Sequence, residues 1–378
     1  RIAFIDVTVT VMYGGIQTAV WRLADALARA GHEIAIFGGE GDIRPANLHP
    51  NITVHTFPFQ PREKVLDIGS RFQRIVERAS HARHARRAFV AGNYDWAVLT
   101  KPFDFYWPWI LPRDRKTRFC FMSGGTDFFA GDRFLSRRVA TWVAASQFNA
   151  WQIHARYKRW PKVIYNGVDI EKFAPGVHDD TLRARLDIAS DTVLFAFAGR
   201  LVGWKGMGVA LRALAEPAMR DVNAKLLIVG DGPQKPELQQ LAQSLGLAGR
   251  VLLHDPVPHG KLPALYGAVD AGVFPSIGDE AFGITIAEAM SCGKPVIAAH
   301  IGGIPEVVGN EESCGLLVPP GDSKALAQAM RRLVDDPARR NHMGEAGRAR
   351  IARLYTWDLS AQRLLAALGL KSDATRVP

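Results

Sequence analysis

Cysteine is scarce in this chain of 378 residues: Cys120, Cys292 and Cys314 are its three thiols, far apart and in apolar surroundings. Their spacing supplies neither a metal-binding pair nor a disulfide framework, and reads as buried thiols in a reducing compartment. No apolar run reaches the roughly 18 residues that a membrane-spanning helix needs. The first segment, 2–6, is too short and too soon interrupted by Asp6 to be a signal peptide, and reads as a strand. There is no low-complexity tract and no internal repeat, which excludes a solenoid. Residues 7–16 lack the Gly-x-Gly-x-x-Gly that a dinucleotide oxidoreductase carries after its first strand.

Acidic residues are short as well, but only in one half. Residues 1–165 hold 24 Lys and Arg against 13 Asp and Glu, a net of +11; the remainder holds 23 against 24, a net of −1. Such asymmetry points to an anionic partner for the first half: a membrane surface, a phosphorylated acceptor or nucleic acid. Nucleic acid is not expected, because the second half is neutral and carries the strand-end glycine turns. With 48% apolar residues the chain can fill two cores, and it is too long for one ordinary domain.

What is present reads as two βα series. After the strand at 2–6 comes Tyr13-Gly14-Gly15-Ile16, then a helix over 17–30 with Val20, Leu23, Ala24 and Leu27 on one face, then a strand at 33–37. This is a βαβ unit with a parallel sheet. Further strands are expected at 52–57, 96–99, 118–122, 141–145 and 162–165. Residues 70–90 predict a helix whose apolar face is Phe72, Ile75, Val76 and Ala79. Arg71, Arg74, Arg78, Arg83, Arg86 and Arg87 crowd the rest with His81 and His84, offset only by Glu77; this suits either a solvated face or an anionic surface. The aromatic run 103–112, followed by Arg113, Arg115, Lys116 and Arg118, suits core, an acceptor cleft or a lipid interface.

The turn-rich segment 166–180 reads as an interdomain linker. Strands then follow at 193–198, 225–229, 250–253, 272–274, 295–298 and 316–318. They alternate with helices near 206–215, 234–245, 260–268, 284–291, 304–308 and 322–334. The expected architecture is α/β, two Rossmann-like doubly wound domains facing a central cleft.

The chemistry gathers in 276–299. Glu280 precedes a helix and Glu288 is placed two turns inside it. Phe282, Gly283, Ile284 and Thr285 fall where helical amides lack an intrahelical acceptor, and with the positive end of the helix dipole they make a seat for phosphate. The two glutamates can then accept hydrogen bonds from neutral hydroxyls on either side. Gly199-Arg200 and Lys205-Gly206, after a strand, suit a diphosphate, since Arg forks onto phosphate oxygens and Lys adds a point charge. Gly230-Asp231-Gly232-Pro233 is another strand-end turn that can approach a nucleotide.

Taken in order, these pieces, with Asn166-Gly-Val-Asp169, Phe173, Gly302-Gly-Ile-Pro-Glu306, Gly315-Leu-Leu-Val-Pro-Pro-Gly321-Asp322 and Trp357, strongly resemble the retaining, nucleotide-sugar-dependent glycosyltransferases of family four, which have the GT-B fold. The resemblance covers almost the whole chain and is densest in 160–325. It implies an acceptor-binding domain over 1–167, a donor-binding domain over 168–357 and a C-terminal segment, 358–378, whose helix crosses back to the first domain. It implies that Arg200 and Lys205 bind the donor diphosphate, that Gly14 and Gly15 close on it, that Glu280 and the 282–285 backbone hold the sugar, and that Glu288 holds the ribose. Gly199 and Gly232 line the same site.

No cofactor or metal is demanded: fixed cations and helix amides supply the positive charge, and Asp-x-Asp is lacking. Relatives often carry a histidine after the strand at 118–122, in a His-Gly-Thr-Asp-like context. Here Met122 or Gly124 stands near its place while Thr126-Asp127 match, so Asp127 is the candidate to contact sugar or acceptor. The expected activity is hexosyl transfer, from UDP-hexose first and GDP-mannose second, to a lipid-linked or otherwise anionic glycan, in the cytoplasm and resting on the membrane through 71–87. The competing readings are a GT-B-fold nucleotide-sugar epimerase and a non-catalytic protein that binds anionic surfaces.

Overall fold

The computed structural model describes residues 1–112, 116–125, 127–177, 179 and 181–371. Arg113, Arg115, Thr126, His178, Asp180 and the end of the expected C-terminal segment, 372–378, lie outside the described residues. The chain divides into two units, one of residues 1–167 with the segment from Trp357 onward, the other Val168–Thr356.

In the first unit β1 (Ile2–Ile5), β2 (Ile34–Gly39), β3 (Ile52–Phe57), β4 (Trp96–Leu99), β5 (Arg118–Ser123), β6 (Thr141–Ala144) and β7 (Lys162–Val163) form a seven-stranded sheet. Its order is β3-β2-β1-β4-β5-β6-β7 and every pairing is parallel. In the second, β8 (Val193–Ala198), β9 (Ala224–Val229), β10 (Val251–His254), β11 (Ala271–Phe274), β12 (Val296–Ala299) and β13 (Gly315–Val318) run β10-β9-β8-β11-β12-β13, again all parallel. Each sheet reverses its winding once, between β1 and β4 and between β8 and β11. Outside the carboxyl ends of the strands there, α/β sheets bind ligands. Central strands are continuous apolar runs because helices cover both faces: every residue of β1, β4 and β8 is buried.

The first helix, α1 (Gly15–Arg29), starts two residues earlier than its apolar spacing predicts. Its buried Val20, Leu23, Ala24 and Leu27 share a core with Trp357, Leu364, Leu365 and Leu368 of the helix Trp357–Leu368, which belongs to this first unit. Arg29 adds an ion pair to Asp358 at 3.0 Å. Burial of each large apolar side chain in that seam is worth about 1.5–3 kcal/mol, far more than the exposed pair.

Two expectations are corrected here. The described part of 166–180 is not an interdomain linker throughout, since the chain belongs to the second unit from Val168. The Val168 N–H donates to the Tyr355 carbonyl at 2.8 Å, and Phe173 is fully buried. The helix α2 (Ser70–Gly92) turns its predicted apolar face outward, with Phe72, Ile75 and Ala79 exposed. It buries Glu77, Arg78, His81, Ala82, Ala85 and Phe89 instead.

The reason is electrostatic. Arg78 donates to Asp6, at the end of β1, at 3.2 Å, and to Asp104, after β4, with its side chain 4% exposed. Burial raises the Asp104 carboxyl to about 7 against the pull of Arg78, whereas Asp6 is held below its ordinary value, because Arg78, Thr100 and Thr8 outweigh its burial. His81, pushed down to about 4 by burial, bonds the Gly38 carbonyl at 2.9 Å. The arginines of α2 are therefore not one solvated stripe. The aromatic run 103–112 is mostly core, with Phe103, Phe105 and Trp107 buried.

Two long helices carry no prominent apolar stripe and were not expected. Gln147–Tyr157 is capped by Ser146, whose hydroxyl accepts the Asn149 N–H at 2.9 Å. Pro337–Leu354 is capped by Asp336 with proline at its first position.

Removing the cation from a buried pair leaves uncompensated charge. Arg78→Leu is expected to lower unfolding free energy by about 3–5 kcal/mol, read from urea denaturation; a loss under 1 kcal/mol would show that Asp6 and Asp104 do not depend on it.

Candidate active site

In the second unit the site grows from backbone close approach at the β8/β11 switch point. A Cβ on Gly230 would lie 1.9 Å from the Gly199 carbonyl oxygen, and one on Gly232 would lie 2.3 Å from that of Leu201. The turns after β8 and β9 can nest only because these positions have no side chain. Gly206, at φ 71°, has its would-be Cβ 1.9 Å from the Pro275 carbonyl, and the Ile277 N–H donates to the Trp204 carbonyl at 2.8 Å. The loop after β8 is thereby clamped onto the loop after β11.

That clamp brings Lys205 to Glu280. The ammonium donates to Glu280 Oε1, which Ser276 Oγ also reaches at 3.3 Å, and the two charged side chains are 17% and 12% exposed. Lys205 also lies over the Trp204 ring at 4.4 Å. The Glu280 carbonyl accepts the Gly303 N–H at 2.7 Å, and Gly302, at φ 62°, packs its Cα against the Glu280 backbone. Arg200 is exposed and makes no ion pair among the described residues.

Gly283, at φ 94°, caps the helix Ile284–Ser291, so Ile284 and Thr285 supply first-turn amides. Phe282 is core: its ring is 2% exposed and meets Tyr355 edge-on at 5.4 Å, which leaves only its backbone for a ligand. Glu288 lies four residues after Ile284, little more than one turn into the helix rather than two. Its side chain is 4% exposed; Oε1 accepts from His259 Nε2 at 2.6 Å, and Oε2 has no partner among the described residues.

The other candidates belong to the first unit. Gly14 caps α1 and Gly15 opens it; a Cβ on Gly14 would meet Gln17 Oε1 at 2.4 Å. Met122 is core beneath α1, and a Cβ on Gly124 would meet Ile16 Cδ1 at 2.8 Å, so neither position presents a polar group where the resemblance leads one to look for histidine. Asp127 accepts from Arg74 Nη1 at 2.7 Å and Lys101 Nζ at 2.6 Å. Phe103 and Phe129 stack at 4.9 Å beside it, with Arg74 over the Phe103 ring.

The structure thus joins Lys205 and Glu280 directly and sets Glu288 on the helix that follows Glu280. His259, Ser276, Arg74 and Lys101 were not foreseen. Lys101 follows a parallel strand on the carboxyl side, a position that marks ligand-facing residues. Nothing in the local pattern marks His259.

Burial raises the Asp127 carboxyl, but Lys101 and Arg74 hold it down to about 2. A lowered carboxylate contributes stability in full above its unfolded value of 3.8 and loses it as pH falls through 2. Asp127→Asn should flatten the acid limb of melting temperature against pH between about 4 and 2; an unchanged limb would show that the pair is not formed in solution.

Comparison with known proteins relates the chain to glycosyltransferases. Residues 178–350 match the family described as Glycosyl transferases group 1, and residues 13–172 match Glycosyltransferase Family 4. The D-inositol 3-phosphate glycosyltransferase of Corynebacterium diphtheriae is 36% identical over 215 residues, 55% of this chain and 50% of that protein. The chain spans about half the length of the curated relatives it matches. Two solved structures share the fold: sucrose-phosphate synthase of Thermosynechococcus elongatus, TM-score 0.80 at 24% identity over 96% of both chains, and Anabaena HepE in complex with UDP and glucose, TM-score 0.77 at 23% identity over 97% of this chain and 99% of that one. The chain therefore carries a family 4 glycosyltransferase domain over residues 13–172 and a group 1 glycosyl transferase domain over residues 178–350, in the GT-B fold.

Proposed function

We propose that the protein is a retaining hexosyltransferase that moves a hexose from a nucleoside diphosphate sugar, UDP-hexose first and GDP-mannose second, to a hydroxyl of an anionic or lipid-linked glycan. The observation that carries this reading is Lys205 held on Glu280 at the mouth of the helix Ile284–Ser291, with the buried Glu288 further along it. Breaking an anomeric bond develops negative charge on the leaving diphosphate. Lys205 and the first-turn amides are held donors for that charge and Arg200 an exposed one that can swing onto it, and together they stabilise it more in the transition state than in the ground state. A diphosphate competes with Glu280 for Lys205 and frees the carboxylate to accept sugar hydroxyls. The incoming hydroxyl attacks on the face the diphosphate leaves, and the leaving oxygen takes its proton. No divalent metal is needed for these steps.

HepE, in complex with UDP and glucose, supports the donor class. The curated relatives' name, D-inositol 3-phosphate glycosyltransferase, supports a phosphorylated polyol or glycan as acceptor. In the first unit Arg74 and Lys101 outnumber Asp127 and leave a net positive, half-buried site of matching sign. Leu66, Ile68, Phe72 and Ile75 are exposed apolar residues beside the exposed Arg71, with Arg83, Arg86 and Arg87 exposed further along α2. They suit an anionic membrane face, where a lipid-linked acceptor of lipopolysaccharide or capsule synthesis would be presented. No helix among the described residues is long and apolar enough to cross a membrane.

The deciding experiment is a thermal-shift titration with UDP, GDP, ADP and their sugars, with and without a chelator. One nucleotide should stabilise the protein, with the shift growing with its concentration and indifferent to chelation; no shift with any would overturn the donor reading. Lys205→Ala and Glu288→Ala should each cut turnover by about 100-fold or more while the fold persists, whereas wild-type turnover in either folded variant would remove the residue from the site. Reversing Arg71, Arg83, Arg86 and Arg87 together should abolish co-sedimentation with anionic liposomes, and unchanged sedimentation would remove the membrane claim.

A further inference from the structure

Glu288 is a buried carboxylate with one of its two oxygens unpartnered among the described residues. A carboxylate can only accept, so the hydrogen it shares with His259 sits on Nε2 of the imidazole. The two residues come from different elements: His259 opens the short turn His259–Lys261 after β10, and Glu288 stands in the helix after β11. Behind the imidazole is the Phe173 ring, with centroids 5.3 Å apart, and Phe173 is itself fully buried. Its carbonyl is gripped by Ser291 Oγ at 2.6 Å and Arg348 Nη1 at 3.0 Å, so the wall behind His259 cannot retreat. Tyr266, buried close to Glu288, offers no substitute donor, because its hydroxyl is spent on the Thr285 carbonyl at 3.3 Å. His259 keeps 34% of its side chain exposed, so the pair opens toward solvent on its side.

We infer that His259 is a positioning residue for the donor nucleotide: by occupying Glu288 Oε1 it fixes the carboxylate in one orientation and leaves Oε2 as the acceptor for a ribose hydroxyl. This rests on the nucleotide-sugar reading above. A buried acceptor oxygen fixed in place because its carboxylate is held at the other oxygen rejects a ligand that lacks the matching hydroxyl, since it then stays unpaired. Without the Nε2–H donor the carboxylate is free to rotate, and that discrimination disappears even if the pocket still forms. Outer partners of this kind act through the residue they orient rather than through the ligand.

The test is calorimetric titration of the wild type, His259→Ala, His259→Leu and His259→Gln. The probes are whichever of UDP, GDP or ADP binds the wild type, together with its 2′-deoxy and 3′-deoxy forms. The wild type should prefer the ribonucleotide over one deoxy form by about tenfold or more. In His259→Ala that preference should collapse toward unity while the deoxy form binds as it does to the wild type. His259→Gln, whose amide can donate to Oε1, should restore part of it. A residue that only supports the fold would weaken both ligands equally and keep the ratio, so a full ribose preference in His259→Ala overturns the inference. Should that variant not fold, His259→Leu, which keeps the packing on Phe173 without the donor, decides by the same ratio. A wild type that binds none of the three nucleotides overturns the donor reading and this inference together; a wild type that binds, with the ratio unchanged in the variants, overturns this one alone.

Discussion

The second unit's site depends on a contact with no side chain in it: the backbone of Gly206 pressed against the Pro275 carbonyl. Two loops from neighbouring strands can lie this close only where a Cβ is missing and a left-handed φ is free of cost. The Lys205–Glu280 pair inherits its position from that approach. Lys205 meets Glu280 because their loops are clamped, and Glu280 in turn is seated on Gly302 and Gly303. The rigid parts are therefore backbone, while the side chain with freedom to follow a ligand is the exposed Arg200. A site built this way is preorganised for fixed charge.

The parallel, doubly wound sheets and the glycine-punctuated strand ends were legible in the sequence because they rest on local rules. Buried parallel strands are plain apolar runs, and phosphate-facing turns need glycine. The helix itself was legible at 284–291, as it stands; only the depth of Glu288 was overstated, since four residues after Ile284 are little more than one turn at about 3.6 residues per turn. His259 was invisible for a different reason. Its role is defined only by a carboxylate 29 residues away, and no periodicity encodes such a pairing.

The helix α2 failed the apolar-face rule for a physical reason. Helix faces are assigned by assuming that the inward side is the apolar one. Here the inward side covers the carboxyl ends of β1 and β4, where Asp6 and Asp104 are already buried and need a cation more than they need methyl groups. The error came from treating a charged residue as a surface residue when its partners were distant in sequence and unreadable.

That inversion has a mechanical consequence for α2. An ordinary amphipathic helix at a surface can roll to hide an apolar stripe when solvent conditions change. Rolling here would pull Arg78 from two buried acids and Arg74 from Asp127, so the helix is keyed against rotation. Phe72 and Ile75 are consequently on permanent display. The protein holds its greasy face outward by ionic anchorage from within, and whatever covers that face does so without first having to turn the helix.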